Sequence, residues 1–414
     1  MSERVDLIAT YIADVGDIGR DPSTAETRRI AEAFATGQSI GTWLPIPGIT
    51  PRMRARHGAQ VVELRRLSDG ESVGGETVSS ESPRGTLPFL LRIAFPVENF
   101  GPQFPMLFTT LLGNDPSTSL PVRLVDVDLP ETFADAFGGP RFGIDGWRSL
   151  TGVTGRPLLL NMIKPCTGYP PAVGADFLEA VALGGCDLIK DDELLADPSF
   201  NRVAERARVY RGRLHQVAEA TGHRSRYVAN VTTRLPTLVD TARAAIDGGA
   251  DALMINALAV GPDAVQMLAE ANLGVPLFAH TAGLDTFSGG GRAGFGRALI
   301  VGRLLRLVGA DAILTDNPYG RRPPAPPVVQ STIEWMRGSW GSLRPAVPAV
   351  GGGLTAEMVR PIVDEFGVDL ILAAGGAIQG HPRGATTGAR EMLGAIETAA
   401  AEATASRAAV ESRS

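Results

Sequence analysis

Short apolar runs recur through the second two-thirds of the chain, and a stretch of helical periodicity follows most of them. The runs are PLLLNMIKP, CDLIKDD, RYVANVT, DALMIN, VPLFAHTAG, DAILTD, PAVPAVGGG and DLILAAGG. Helical patterns lie near 172–184, 200–221, 236–248, 293–308 and 355–366. The runs are apolar almost throughout rather than alternating. That is the pattern of strands covered on both faces, hence of a parallel sheet flanked by helices. Eight such units predict a (β/α)8 TIM barrel of about 250 residues. A doubly wound open sheet is the alternative, but six strands would suffice there, and no GxGxxG turn follows the first run.

The part before the barrel mixes signals. GAQVVELRRL, GTLPFLLRIAFPV and PVRLVDVDLP read as strands, and FGPQFPMLFTTLLGN as a helix followed by a loop. This predicts an N-terminal α+β domain of ferredoxin-like type over 1–140. GGPRFGIDGWRSLTGVTGRP is the connector, the catalytic barrel spans 141–400, and 401–414 reads as a flexible tail.

Composition changes this picture at one point. Of 39 basic residues only two are lysine, Lys164 and Lys190. Both stand at the end of an apolar run. Arginine keeps its proton in a protein, whereas a buried lysine can lose it. The two positions therefore call for an amine that can be deprotonated. A net charge of −6 and few aromatic residues give no sign of a nucleic-acid groove. No run is long enough to span a membrane, the first residues lack a signal-peptide pattern, and two cysteines make no disulfide framework. The expectation is a cytoplasmic protein.

In a barrel the chemistry sits at the carboxyl ends of the strands. There the sequence places Lys164, then Lys190 with Asp191, Asp192 and Glu193, then Asn230, Asn256, His280, Thr315 and Asp316, and two glycine clusters, Gly351–Gly353 and Gly375–Gly376. Asp192 and Glu193 can hold a hard cation such as Mg²⁺, or simply be acids at a helix start. Lys190 can join them as a ligand only if CO₂ turns its amine into a carbamate anion. Glycine turns in units seven and eight are a frequent phosphate site, although each taken singly is equally a tight turn. Lys164 suits proton transfer beside a carbonyl, or a Schiff base. His280 is a second proton carrier or ligand. Cys166 has no evident partner, and His381 orients its loop.

These residues resemble the RuBisCO large-chain family, and within it the non-carboxylating RuBisCO-like (form IV) proteins. GRPLLLNMIKPCTG is similar to the family's GRPLL…IKPxxG segment, GGCDLIKDDE to its GGxDxxKDDE signature, and GGAIQGHPRG to its GGGxxGHPxG segment. SIGTW and LLGN also have counterparts. The resemblance implies a carbamylated Lys190 that binds Mg²⁺ with Asp192 and Glu193. It implies Lys164 as the proton-transfer lysine, His280 as the active-site histidine, and one phosphate held by Thr42, Trp43, Gly352, Gly353, Gly375 and Gly376. Asn114 would come from the partner subunit of a homodimer, or of an assembly of dimers, with the site at the subunit interface.

The departures carry equal weight. Cys166 stands where the family has its second lysine, Thr281 where it has an arginine, Leu314 where it has a histidine, and Gly37 where it has a glutamate. Thr281 and Leu314 cannot hold a second phosphate. The loop after strand six carries Arg321 where the family closes with a lysine, and arginine is no direct substitute. The resemblance thus implies an Mg²⁺-dependent enzyme that enolises a singly phosphorylated, sugar-derived keto compound and does not carboxylate ribulose bisphosphate. The leading outcome is decarboxylation or C–C hydrolysis of a 3-oxo sugar acid of isoapionate type, with Arg321 on a carboxylate. The alternative is the methionine-salvage enolase or isomerase reaction on a methylthio-sugar phosphate, with an apolar tail at Leu284 and Leu314. A metal-free Schiff-base aldolase and a non-catalytic sugar-phosphate-binding relic are rivals from other classes.

Overall fold

A computed structural model describes residues 4–15, 25–41, 46–79, 87–291 and 293–411, with side chains through 406. The chain divides into two compact units. One comprises 1–138, 283–307 and 325–343, and the other 139–282, 308–324 and 344–414.

The first unit is built on a five-stranded sheet in the order Gly294–Phe295, Val122–Asp128, Asp6–Val15, Leu87–Pro96, Gln60–Arg66. Its centre is Asp6–Val15, antiparallel to both neighbours. That strand was not anticipated from the sequence, although DLIATYIADV buries Leu7, Ala9, Tyr11, Ala13 and Val15 on alternate positions. The helix expected over 293–308 begins instead with the two-residue strand Gly294–Phe295, which pairs with Val122–Asp128. It then runs as a π-helix over Leu299–Leu304 and as α-helix over Leu305–Leu307. A further helix, Pro326–Arg337, was hidden by its prolines, which lie at its first turn where no N–H is needed.

The second unit contains the expected closed parallel barrel of eight strands: Leu158–Met162, Leu188–Lys190, Arg226–Asn230, Ala252–Asn256, Leu277–His280, Ala312–Asp316, Val347–Gly351 and Ile371–Ala374. They are called barrel strands 1 to 8 below. Each pairs with its neighbours in sequence, and strand 8 closes on strand 1. Alternate side chains fill the interior: Leu158, Leu160, Leu188, Val228, Ala252, Met254, Phe278, Ala312, Val347, Ala349, Ile371 and Ala373 form one buried cluster. The last helix, Ala385–Glu411, continues through the stretch read as a frayed tail. Its alanine-rich sequence has high intrinsic helix propensity.

Three aspartates mark the amino-terminal rim. Asp187 accepts from Leu159 N at 2.8 Å, Asp251 from Tyr227 N at 2.9 Å and Asp311 from Leu277 N at 2.9 Å. Each follows a glycine-containing turn (GGCD, GGAD, VGAD) and satisfies a backbone donor of the preceding strand or the one beside it. These carboxylates hold the barrel closed at the face opposite the chemistry. No helix among the described residues is long and apolar enough to cross a membrane.

Helix Pro171–Ala182 packs on Val203–Thr221 through Gly174. A Cβ there would lie 2.0 Å from the Tyr210 hydroxyl oxygen and 2.7 Å from Tyr169 Cε2. The Tyr210 ring is fully buried and packs edge-on to Tyr227. Gly174→Ala is expected to destabilise the protein by about 1–3 kcal/mol through overpacking. Gly212→Ala, where nothing lies within 4 Å in an exposed helical turn, is expected to be neutral or stabilising by up to about 1 kcal/mol. Denaturant melts of the two variants check the contrast.

Candidate active site

The two-residue period of the strands decides which side chains reach the mouth of the barrel. Leu188, Met254 and Phe278 point into the core cluster. The residues two further on, Lys190, Asn256 and His280, therefore share their direction one layer nearer the carboxyl end. Lys164 lies two residues beyond Met162, which packs against the same cluster. Five residues singled out from the sequence meet here: Lys164, Lys190, Asp192, Glu193 and His280.

Lys190 is fully buried. The one hydrogen bond of its amine among the described residues is to the backbone carbonyl of Asp191, at 2.9 Å. Burial pulls its amine down to about 8, against the opposing pull of Glu193, Asp192 and Asp191. Lys164 behaves differently. Partial burial works against its charge, but hydrogen bonds to Asp192 and Cys166 outweigh this and hold the amine above its ordinary value. The depressed amine expected from sequence is thus found at Lys190 and not at Lys164, because Asp192 has taken Lys164 as its partner. Cys166 does have a neighbour: its Sγ accepts from Lys164 Nζ at 3.2 Å.

His280 is 8 % exposed, and burial together with the nearby Lys190 amine drives its imidazole down to about 3. The ring is neutral. Its Nδ1 accepts from Ala282 N at 3.1 Å, which leaves the proton on Nε2. Nε2 faces Glu193 Oε2 at 3.7 Å, a polar contact and not an ion pair while the ring is uncharged.

Asp191 turns away from this group. Its Oδ2 accepts from Arg206 Nη2 at 2.9 Å, Tyr227 Oη at 2.6 Å and Asn230 N at 2.9 Å, all buried. It is a structural anchor under the strand end. Of the three consecutive acids, only Asp192 and Glu193 are left for chemistry.

The Asp192–Glu193 backbone is held from the side by asparagines. Asn230 Nδ2 donates to Asp192 O at 3.1 Å and to Glu193 O at 3.3 Å, and Asn256 Nδ2 donates to Glu193 O at 2.9 Å. Both stood at strand ends in the sequence, but nothing there showed that they bind main chain.

Gly351–Gly353 border a cavity of about 550 Å³ with Asp316, Asn317, Gly320, Arg321 and Arg322. Gly352 and Gly353 have φ of 103° and 68°, which a side chain would strain, and a Cβ at either would meet nothing within 4 Å. The turn therefore presents open backbone. Gly375 is required for space: a Cβ there would lie 2.5 Å from Met162 Sδ and 3.6 Å from Lys164 Cε. Gly376 opens a short helix and has free space around it. Arg321 is thus beside the first glycine turn. Asn114 begins the short helix Asn114–Thr118 in the other unit and is exposed. Thr42 and Trp43 lie outside the described residues. Leu314 is partly buried and packs on the barrel core, so its position offers no charge to an anion.

Among the described residues, no group of three or more His, Cys, Asp and Glu side chains is arranged for a metal ion. A cation held by Asp192 and Glu193 needs a third ligand of another kind. Lys190 is placed to become one: buried, close enough to both acids to feel their charge, and without a carboxylate hydrogen bond. The donor set is then all oxygen, which suits Mg²⁺.

The family described as "Ribulose bisphosphate carboxylase large chain, catalytic domain" matches residues 143–414. The chain is 39% identical over 371 residues to a ribulose bisphosphate carboxylase-like protein of Archaeoglobus fulgidus, covering 89% of this chain and 83% of that one. It is 35% identical over 393 residues to a 2,3-diketo-5-methylthiopentyl-1-phosphate enolase of Geobacillus kaustophilus, covering 94% and 92%. Among solved structures, a rubisco-like protein of Alicyclobacillus acidocaldarius superposes with a TM-score of 0.83 at 30% identity, over 95% of this chain and 93% of that one. The octameric ribulose-1,5-bisphosphate carboxylase/oxygenase of Pyrococcus horikoshii superposes with a TM-score of 0.84 at 28% identity, over 96% and 89%. With these matches and the lysine–acid cluster at the barrel mouth, the chain belongs to the ribulose bisphosphate carboxylase large-chain family, in its RuBisCO-like branch.

Proposed function

We propose that this protein is an Mg²⁺-dependent enolase that takes a proton from the carbon next to a carbonyl in a singly phosphorylated keto compound. The observation that carries the reading is the convergence of Lys164, Lys190, Asp192, Glu193 and His280 at one end of the barrel. The preferred substrate class is a diketo thioether phosphate of the kind named for the Geobacillus relative. This replaces the sugar-acid reading preferred from sequence. Two features support the change: the enolase relatives span nearly the whole chain, and the apolar Leu314, packed on the barrel core, suits a thioether tail better than a sugar acid.

Asp192, Glu193 and a Lys190 carbamate would hold the Mg²⁺, which as a Lewis acid would polarise the carbonyl and steady enolate charge. The chain's own residues do the rest. Lys164 is the proton-transfer residue; Asp192 and Cys166 hold its amine in place and charged, so it must release that proton before it can take one from the substrate. His280 offers a fixed Nε2–H donor and, being neutral, adds no positive charge. The backbone amides of Gly352, Gly353, Gly375 and Gly376 bind the phosphate. Asn114 comes from a second copy of the chain in a dimer.

The cavity flanked by Arg321 and Arg322 favours a second reading, with a substrate carboxylate there and C–C cleavage of a 3-oxo sugar acid. Purified protein given Mg²⁺, bicarbonate and each substrate class is expected to enolise the diketo thioether phosphate faster than it consumes the 3-oxo acid. Turnover of neither removes both readings.

Lys190→Ala is expected to lower kcat by about 10²–10³-fold, the scale set by loss of a charge-stabilising group. EDTA is expected to abolish turnover and added Mg²⁺ to restore it. Borohydride with substrate should trap no lysine adduct; a trapped adduct with chelator-resistant activity would point to a Schiff-base aldolase. For Arg321→Ala the expectation is a KM increase of roughly tenfold or more, the worth of a lost charged hydrogen bond, with a smaller change in kcat. Steady-state kinetics separates the two parameters.

A further inference from the structure

Asn256 holds an unusual place in the hydrogen bonding at the barrel mouth. It ends barrel strand 4, is 8 % exposed, and lies opposite His280 in register. Its own N–H donates to Thr232 Oγ1 at 2.9 Å. Thr232 Oγ1 donates in turn to Asn230 Oδ1 at 2.6 Å. Asn230 Nδ2 reaches the carbonyls of Asp192 and Glu193, and Asn256 Nδ2 reaches the Glu193 carbonyl. The loop of bonds thus closes on one peptide group, that of Glu193. Two asparagines from adjacent strands grip the same carbonyl oxygen and use both of its lone pairs.

One atom falls outside the loop. Asn256 Oδ1 is buried and has no hydrogen-bond partner among the described residues. The assignment of oxygen and nitrogen in this amide follows from the network, since only the nitrogen can face a carbonyl. A buried acceptor left unpaired costs about 1–3 kcal/mol, and an apolar residue of similar size avoids that cost. For stability alone, leucine would serve this position as well as asparagine or better. A residue kept at such a cost in a catalytic rim is accounted for by what its other end does.

We infer that Asn256 is a positioning residue for the metal centre: its side-chain amide fixes the Glu193 backbone so that the Glu193 carboxylate faces the ion. In this role it acts through Glu193 and need touch neither ion nor substrate. Asn230 shares the grip, but its Oδ1 is fully engaged with Thr232 N and Oγ1, so its replacement would also break the fold of the strand-3 loop. Asn256 is therefore the member in which positioning and folding can be separated.

The inference rests on the reading of Asp192 and Glu193 as Mg²⁺ ligands, and the experiment keeps the two apart. Mg²⁺ binding to the full-length protein is measured by calorimetry in bicarbonate buffer, beside the melting temperature of metal-free protein. Wild type tests the reading; if it does not bind Mg²⁺, the metal centre itself is wrong. Given wild-type binding, Asn256→Leu and Asn256→Ala test the inference. The expected result is a dissociation constant for Mg²⁺ raised about 10–100-fold, the usual effect of losing a residue that orients a metal ligand. In Asn256→Leu the metal-free melting temperature should be unchanged or higher. Wild-type affinity in either folded variant overturns the inference. A lowered metal-free melting temperature in both variants, or failure of both to fold, assigns Asn256 to the fold alone and overturns it equally.

Discussion

A primary amine sealed inside a protein without an acid on it is an expensive arrangement, and Lys190 is such an amine. Desolvation opposes its charge, and the nearby acids do not make up the difference. The neighbouring elements are arranged around this constraint. Asp191 could have neutralised the amine but is committed to Arg206, Tyr227 and the Asn230 amide. Asp192 is committed to Lys164. Only a backbone carbonyl is left for Lys190. Burial favours the neutral amine, which is the form that adds CO₂, and the carbamate anion so formed would need a divalent ion between it and the two acids to offset its charge.

The barrel makes this possible through its geometry. Parallel strands that fill the interior on alternate positions deliver residues 190, 256 and 280 to one layer. The aspartates at the opposite rim, Asp187, Asp251 and Asp311, bind backbone amides and pin the strands at the quiet end. Charge at one face serves folding and charge at the other serves chemistry. The glycine turn at Gly351–Gly353 and the Arg321–Arg322 loop border a cavity together with Asp316 and Asn317.

Much of this was legible in the sequence, for physical reasons. Strands buried on both faces leave uninterrupted apolar runs, so the eight barrel strands could be counted. Scarcity of lysine made Lys164 and Lys190 conspicuous, and the IKPCTG and KDDE runs placed them. What escaped was set by tertiary pairing. Asp191 and Asp192 are adjacent and chemically alike, and only the fold sends one to Arg206 and the other to Lys164. Cys166 seemed partnerless because its neighbour is an amine two residues away that only the turn brings within reach. Asn230 and Asn256 bind main-chain carbonyls, and such contacts leave no trace in residue type. The strand Asp6–Val15 was passed over because its polar positions obscured an alternation that the sheet then uses in full.

The central claim is that Lys190 carries CO₂ in the working enzyme. The most direct measurement is ¹³C NMR of the protein in ¹³C-bicarbonate with Mg²⁺. A carbamate resonance that is present in wild type and missing in Lys190→Arg is what the buried amine predicts. A wild-type protein that turns over substrate in Mg²⁺ with no carbamate signal, and with its activity indifferent to removal of CO₂, would contradict it.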